Sequence, residues 1–287
     1  MKRIYIALLT ICSIHAHTSI SPDKLHQNWA GAYMEHKGEL QQALQWYKKL
    51  IAEPETPGFM YKGMLHLLGQ TQTYGPIIRL MPKVENAFKD DIEVQLLFAQ
   101  ALEKGGYQTA ADDRIIKLFD ANKQNPEVAL LAAQTYLRRK ELDNATQAIN
   151  QHLSHAPGNI QNFVFYFLLA QIDVTRNKAD EAVTHLQKSL DLNPRFDKGW
   201  LLYAILNEQA HDLPKSIEGY ATYLETTTVP DPHLAKHLLQ LALKEHGLIN
   251  QSTLIDGNAS VIQEMLALFE ERKYKKAISL LQKTDNK

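Results

Sequence analysis

Residues 198–224 read KGWLLYAILNEQAHDLPKSIEGYATYL and contain two small residues, Ala204 and Ser216, twelve positions apart. The same spacing recurs in three earlier pairs, which are Ala99 and Ala111, Ala133 and Ala145, and Ala170 and Ala182. The first members of successive pairs are 34, 37 and 34 residues apart. Because a small residue at the contact lets two helix backbones approach closely, this register predicts a series of packed helix pairs.

A period near 34 with a small residue in each helix resembles the tetratricopeptide repeat, a helix–turn–helix unit. Trp200, Tyr203 and Tyr220 stand where that family has aromatic residues. Residues 180–194, DEAVTHLQKSLDLNP, are similar to its second helix and closing proline. The resemblance extends over about 23–286 and implies an all-α fold, a right-handed α-solenoid of roughly seven stacked antiparallel helix pairs.

The register predicts six consecutive repeat units within a solenoid of residues 17–226. They lie at about 23–54, 58–89, 92–123, 126–156, 160–193 and 196–226. The second unit is divergent, because Leu65 and Ile77 stand at the positions expected to be small. In this unit the Tyr-Gly-Pro sequence at 74–76 predicts a turn, and Pro82 predicts a kink or a break in the following helix.

The regular period changes in two places. The step of 37 residues between Ala133 and Ala170 predicts three extra residues near 158–163. Beyond residue 226 the register slips, so residues 227–258 are predicted to form an irregular linker with one helix. Residues 259–287 are predicted to form a C-terminal capping helix pair, in which Met265 and Ala277 are again twelve positions apart.

The first sixteen residues have the pattern of a secretory signal peptide. Lys2 and Arg3 precede an apolar run over 4–14, and Ala16 supplies a small residue for cleavage. The run is about half as long as a membrane-spanning helix, and no later stretch approaches that length. We therefore expect cleavage after about Ala16 and export to the periplasm or the cell exterior, with no membrane span in the mature chain. A buried helix is the alternative interpretation of this segment.

Composition and charge favour a folded protein and exclude some partners. With 45% hydrophobic and 22% charged residues, the chain has the composition of an ordinary soluble domain. Its formal net charge is −1, so no whole-molecule field attracts nucleic acid. We therefore expect no nucleic-acid partner.

The sequence contains no catalytic arrangement that is specific to a family of enzymes. It has no G-x-S-x-G nucleophile elbow and no glycine-rich phosphate loop. The single cysteine, Cys12, lies in the predicted signal peptide. His233 and His237 lie four residues apart on a predicted helix, but no third ligand is positioned by the sequence. The prediction is therefore a non-enzyme with no catalytic residue, no cofactor and no metal.

The first helix of the regular units carries the pattern that we assign to a binding groove. Gln100, Gln134 and Gln171 each follow the small alanine directly. The family resemblance implies that this position faces the concave groove. One helical turn earlier stand Leu96, Leu130, Phe167 and Leu201, and one turn later stand Lys104, Arg138 and Gln209. These ten residues are the predicted groove, since amides beside an apolar strip suit the backbone and side chains of a peptide. The alternative is that glutamine merely favours an exposed helix face.

Some proteins of the resembled family hold a partner's C-terminal carboxylate with lysine, asparagine and arginine side chains. Here the matching groove positions carry leucine and glutamine, so this carboxylate clamp is absent. The leading hypothesis is a protein–protein interaction scaffold that binds a peptide or protein in its groove, with the partner and the oligomeric state left open. One alternative is a self-assembling structural or envelope-complex component that uses its outer faces. Another is a substrate- or glycan-binding protein, for which the aromatic run at 163–167 is the place to look.

Overall fold

The computed structural model describes residues 20–229, 231–245 and 259–284, and every regular element in these ranges is a helix. The predicted signal peptide and residues 246–258 of the predicted linker lie outside the described residues. The helices form antiparallel pairs, so the prediction of an all-α solenoid of helix pairs is confirmed. Within these ranges, no helix combines the length and the apolar character that crossing a bilayer requires.

The chain divides into two compact units, and the first ends at Thr135. It contains six complete helices and most of a seventh: α1 (Pro22–His36), α2 (Leu40–Ala52), α3 (Lys62–Gln70), α4 (Tyr74–Val84), α5 (Ile92–Lys104), α6 (Gln108–Ala121) and α7 (Pro126–Arg138). Short 3₁₀ helices at Gly58–Tyr61 and Glu85–Phe88 flank the α3–α4 pair. A continuous core joins these pairs and includes Tyr47, Leu65, Ile77 and Phe98.

The second unit begins at Tyr136. Its helices are α8 (Leu142–His155), α9 (Phe163–Thr175), α10 (Ala179–Leu192), α11 (Asp197–Gln209), α12 (Leu213–Thr226), α13 (Pro232–Glu245), α14 (Ala259–Glu270) and α15 (Tyr274–Thr284). A 3₁₀ helix, Ile160–Asn162, precedes α9 where the three extra residues were predicted. The core continues from α11 through α12 and α13 to α15, where Tyr220, Leu238 and Ala277 are buried.

Both residues of each twelve-residue pair are buried. Across the four regular units their exposed fraction does not exceed 2%. Leu65 and Ile77 are also fully buried, so the same two positions face the core in the divergent unit. Larger side chains therefore occupy the contact positions of this unit, and the distance between packed helices generally depends on the residues at the contact.

One backbone feature repeats at every turn within a helix pair. A single residue has a positive φ, and the next residue's N–H donates to the carbonyl five residues back at 2.8 or 2.9 Å. This is the hydrogen bond of a Schellman motif, which satisfies a carbonyl at the helix end. The positive-φ residues are Gly38, Gln72, Gly106, Lys140, Asn177, His211 and Arg272. The first six are spaced by 34, 34, 34, 37 and 34, the same steps that separate the small residues.

The predicted turn at 74–76 is wrong, because these residues form the first turn of α4. The turn lies earlier, at Gln72, whose φ is 54°. Proline at the third helical position costs no hydrogen bond, since the first N–H groups of a helix have no partner within the helix. Pro82 lies inside α4 without splitting it. The α-helix ends at Val84, and a 3₁₀ helix begins at Glu85, three residues after the proline.

Candidate functional site

One face of α5 carries four residues spaced by three, four and three positions: Glu93, Leu96, Gln100 and Glu103. This spacing places side chains on the same side of an α-helix. The four line a cleft of about 620 Å³ between α5 and α7, together with Lys104 at the end of α5. The cleft therefore gathers three of the predicted groove residues, Leu96, Gln100 and Lys104.

The walls of this cleft differ in chemistry. Its apolar surface comes from Leu96 and Leu97 of α5, the buried Ile115 of α6 and Leu131 of α7. Its charged rim comes from Glu93, Glu103, Lys104 and Glu127. Leu96 is half-buried and Gln100 is exposed. The apolar side chain of Leu96 and the exposed amide of Gln100 therefore lie side by side on α5.

A smaller cleft of about 200 Å³ adjoins the first, on the side of α5 that faces α3. Lys62, His66 and Gln70 of α3 line it, and Glu93, Leu97 and Gln100 line both clefts. We call the two adjoining clefts the α5 groove. Gln100 lines both clefts, and its side-chain amide offers both a donor and an acceptor to a ligand.

The charges of the α5 groove are unevenly paired. Lys62 Nζ lies 2.6 Å from Asp91 Oδ2 and 3.4 Å from Glu93 Oε2. Burial opposes the charge on Lys62, but these carboxylates prevail and raise the pKa of its amino group. Glu103 and Lys104 are 3.9 Å apart and exposed, where such pairs contribute little. Glu127 has no ion pair with any residue that the structure describes.

The structure places the other predicted groove residues outside this cleft. Leu130 is half-buried on α7 and Gln134 is exposed there, but α7 contributes Glu127 and Leu131 to the cleft instead. Arg138 is the last residue of α7. In the second unit Gln171 on α9 and Gln209 on α11 are exposed, whereas Phe167 and Leu201 are half-buried against core clusters. Their role in binding stays a prediction.

The aromatic run at 163–167 contacts neighbouring helices. Phe163 and Phe167 meet Phe196, just before α11, at ring-centroid distances of 5.0 and 4.9 Å. Phe165 is buried and stacks on His152 of α8 at 4.4 Å. These rings therefore pack successive helix pairs together.

A carboxylate links three helices at one junction in each unit. In the first unit, Tyr47 Oη donates to Glu35 Oε2 at 3.1 Å, and His66 Nδ1 lies 2.8 Å from Glu35 Oε1. In the second, Tyr220 Oη donates to Glu208 Oε2 at 2.7 Å, and His237 Nε2 lies 3.0 Å from both carboxylate oxygens.

The two carboxylate links occupy equivalent repeat positions, each glutamate four residues after the small residue of its helix. Burial is the main reason why the pKa values of Tyr47 and Tyr220 are raised, and the adjacent glutamate adds to it. Burial opposes ionisation of Glu208, but hydrogen bonds from His237 and Tyr220 lower its pKa. Both links tie one helix pair to the next, and the first of them reaches the α5 groove through His66.

Sequence reasoning missed several residues of the α5 groove, namely Lys62, His66, Glu93, Glu103, Glu127 and Leu131. Glu93 and Glu103 share the helical face of Leu96 and Gln100, so the spacing of three and four could have revealed them. Glu127 and Leu131 belong to the cleft only because of how α7 lies beside α5. Local spacing does not contain that information.

Comparison with solved structures identifies the fold. A tetratricopeptide repeat protein from Parabacteroides merdae superposes with a TM-score of 0.62 over 87% of this chain and 100% of that chain, at 14% identity. The protein has a TPR-like fold. A chain of the APC/C hetero-tetramer Cut9–Hcn1 gives a TM-score of 0.53 over 83% of this TPR-like chain and 46% of its own length, at 12% identity.

Other comparisons add no functional information. MamA from Desulfovibrio magneticus RS-1 superposes with a TM-score of only 0.43, at 15% identity, over 72% of this chain and 97% of that one. No family model and no curated protein sequence matches the chain. At such identities a structural likeness establishes the TPR-like fold alone, and function has to be argued from the site.

Proposed function

We propose that this TPR-like protein is a non-enzymatic scaffold that binds a peptide or protein segment in the α5 groove. The observation that supports the proposal is the 620 Å³ cleft, in which an exposed amide, Gln100, stands beside an apolar surface. An amide pairs with the N–H and C=O groups of a bound backbone, and the apolar surface buries a side chain of the partner.

Site-specific photo-crosslinking in the producing cell tests this proposal. A photoreactive residue replaces Gln100 in one variant and Gln42 in another. Gln42 is a matched control, because it is also an exposed helical glutamine of the first unit and lines neither cleft. We expect a discrete adduct from position 100 alone, identified by mass spectrometry. Adducts from position 42 alone would move the binding surface to α2 and overturn the proposal.

We also propose that the protein is exported and acts outside the cytoplasm. The support is the sequence of residues 1–16, with two basic residues, an apolar run and Ala16 at its end. Edman sequencing of the protein purified from the fractionated producing cell tests this. We expect it in the exported fraction with an N-terminus near His17, and an intact Met1 in the cytoplasmic fraction would contradict export.

A further inference from the structure

We infer that the partner segment carries a lysine or arginine beside an apolar side chain, and this rests on the function proposed above. The inference concerns the cleft between α5 and α7. It follows from the charges on the rim of that cleft and the apolar surface below them.

The apolar part of the cleft defines the first feature of the ligand. Leu96, Leu97 and Leu131 line it around the buried Ile115. A leucine, methionine or phenylalanine of the partner would cover these side chains, and burying its apolar surface favours binding. A wholly polar segment would gain nothing from this surface.

The rim defines the second feature. Three carboxylates, those of Glu93, Glu103 and Glu127, face one amino group, that of Lys104. The nearby Lys62 is already held by Asp91 and Glu93, so it does not balance the excess. The rim therefore attracts a cationic side chain and disfavours an acidic one. This polarity is opposite to that of the lysine- and arginine-based carboxylate clamp considered above.

The two features lie close enough for adjacent side chains of one segment. Glu127 is four residues before Leu131 on α7, and Glu103 is seven after Leu96 on α5, so each wall presents a carboxylate one or two turns from its leucine. Gln100 lies on the α5 wall between Leu96 and Glu103, and its amide can bond the backbone of the bound segment. A short segment with one apolar and one basic side chain satisfies all three groups.

A random twelve-residue peptide library displayed on phage, selected against the whole purified protein, provides the probe. Selected peptides are synthesised with a fluorophore and titrated by anisotropy. We expect lysine or arginine next to leucine, methionine or phenylalanine in the peptides that compete for the groove. Replacing the basic residue of such a peptide by glutamine should weaken binding about fivefold, as expected for an exposed ion pair.

Three variants of the protein test the same charges from the other side. Glu127→Gln and Glu103→Gln should each weaken the basic peptide about threefold to fivefold, whereas Lys104→Gln should strengthen it about twofold. Asp120→Asn, an exposed carboxylate on α6 outside both clefts, should leave affinity unchanged. These residues are exposed, and circular dichroism checks that each variant is folded. Added salt should weaken the basic peptide more than its glutamine analogue.

The outcomes separate this inference from the proposed function. Peptides that lose affinity with Gln100→Ala but show no preference for basic residues, and no response to Glu127→Gln, would leave groove binding intact and overturn the inference. Peptides that are insensitive to Gln100→Ala bind elsewhere and would overturn both. Recovery of no specific peptide over repeated selections would also count against both.

Discussion

Gly219 of α12 packs directly against Ala204 of α11. A Cβ added to Gly219 would lie 2.8 Å from Ala204 Cβ and 2.9 Å from its Cα. Such distances are shorter than van der Waals contact, and the Ala204 backbone cannot move aside as a flexible side chain would. The register of small residues thus corresponds to a place where two helix backbones meet.

We predict that Gly219→Ala destabilises the protein by about 1–3 kcal/mol, because the added methyl group forces α11 and α12 apart. The cost of this steric overlap outweighs the gain of up to about 1 kcal/mol that alanine contributes through its higher helix propensity. Urea unfolding followed by circular dichroism measures the change. Gly158→Ala is the control, since its added Cβ meets open space, and it should cost nothing. Equal stability of the two variants would contradict the close approach.

Replacing either of two buried serines by alanine should change the stability of the protein, in opposite directions at the two positions. Ser216 is fully buried, and its Oγ has no hydrogen-bond partner among the described residues, whereas Ser189 Oγ donates to the Phe163 carbonyl at 2.7 Å. Ser216→Ala should stabilise the protein by about 1 kcal/mol, and Ser189→Ala should destabilise it by a similar amount. Chemical unfolding of both variants tests this prediction, and a loss of stability in Ser216→Ala would show that its hydroxyl is satisfied.

The turn at Gly106 gives a third prediction. Its φ is 84°, and an added Cβ would meet nothing within 4 Å, so Gly106→Ala changes only the backbone preference. We expect a loss of about 1–2 kcal/mol, the cost of the left-handed conformation for a residue with a side chain. Gly75→Ala in α4 should not destabilise the protein, because Gly75 has no such φ and its Cβ would make an ordinary contact. Thermal unfolding compares the two, and equal midpoints would contradict the prediction.

His152 should make the second unit sensitive to acid. It is buried against Phe165, and neither ring nitrogen has a hydrogen-bond partner within the described ranges. Burial lowers the pKa of His152, and His155 adds to this effect while Asn162 opposes it. As the pH falls below about 6.5, the ordinary pKa, the unfolded chain binds a proton before the folded protein does. Stability is therefore lost as the pH decreases through that value towards the lower pKa of the folded state.

The contribution of His152 to this loss is at most about 1.4 kcal/mol per pH unit. Urea unfolding at pH 7.5 and 5.5 should show a smaller decrease in His152→Phe, which keeps the stacked ring and cannot bind a proton. His155→Gln, at an exposed position, should retain most of the acid sensitivity of the natural protein. An unchanged pH dependence in His152→Phe would refute the prediction.

The fold could be predicted from the sequence because one packing requirement repeats. A small residue is needed wherever two helices meet closely, so Ala170, Ala182 and Ala204 reveal the register without any knowledge of tertiary structure. The turn between α3 and α4 cannot be located from the sequence, because Gln72 adopts a positive φ without being glycine or asparagine. A proline at the third position of α4 resembled a turn residue, although the helix tolerates it there.

The candidate site could be predicted only in part. Leu96, Gln100 and Lys104 follow from their spacing on one helix, and they do lie together at a cleft. Glu127 and Leu131 replace the expected Leu130 and Gln134 there, because the side of α7 that faces α5 depends on the rotation of the packed helix. The sequence of one helix alone does not determine this rotation.

Methyl NMR of the whole protein, titrated with a peptide from the library selection, shows directly whether the α5 groove binds a peptide. Isotope labelling of leucine methyl groups makes both walls of the cleft observable. We expect the signals of Leu96, Leu97 and Leu131 to shift on titration, and the shifts to saturate with the dissociation constant measured by anisotropy. Shifts confined to leucines outside the groove, such as Leu40 and Leu44 of α2, would contradict it.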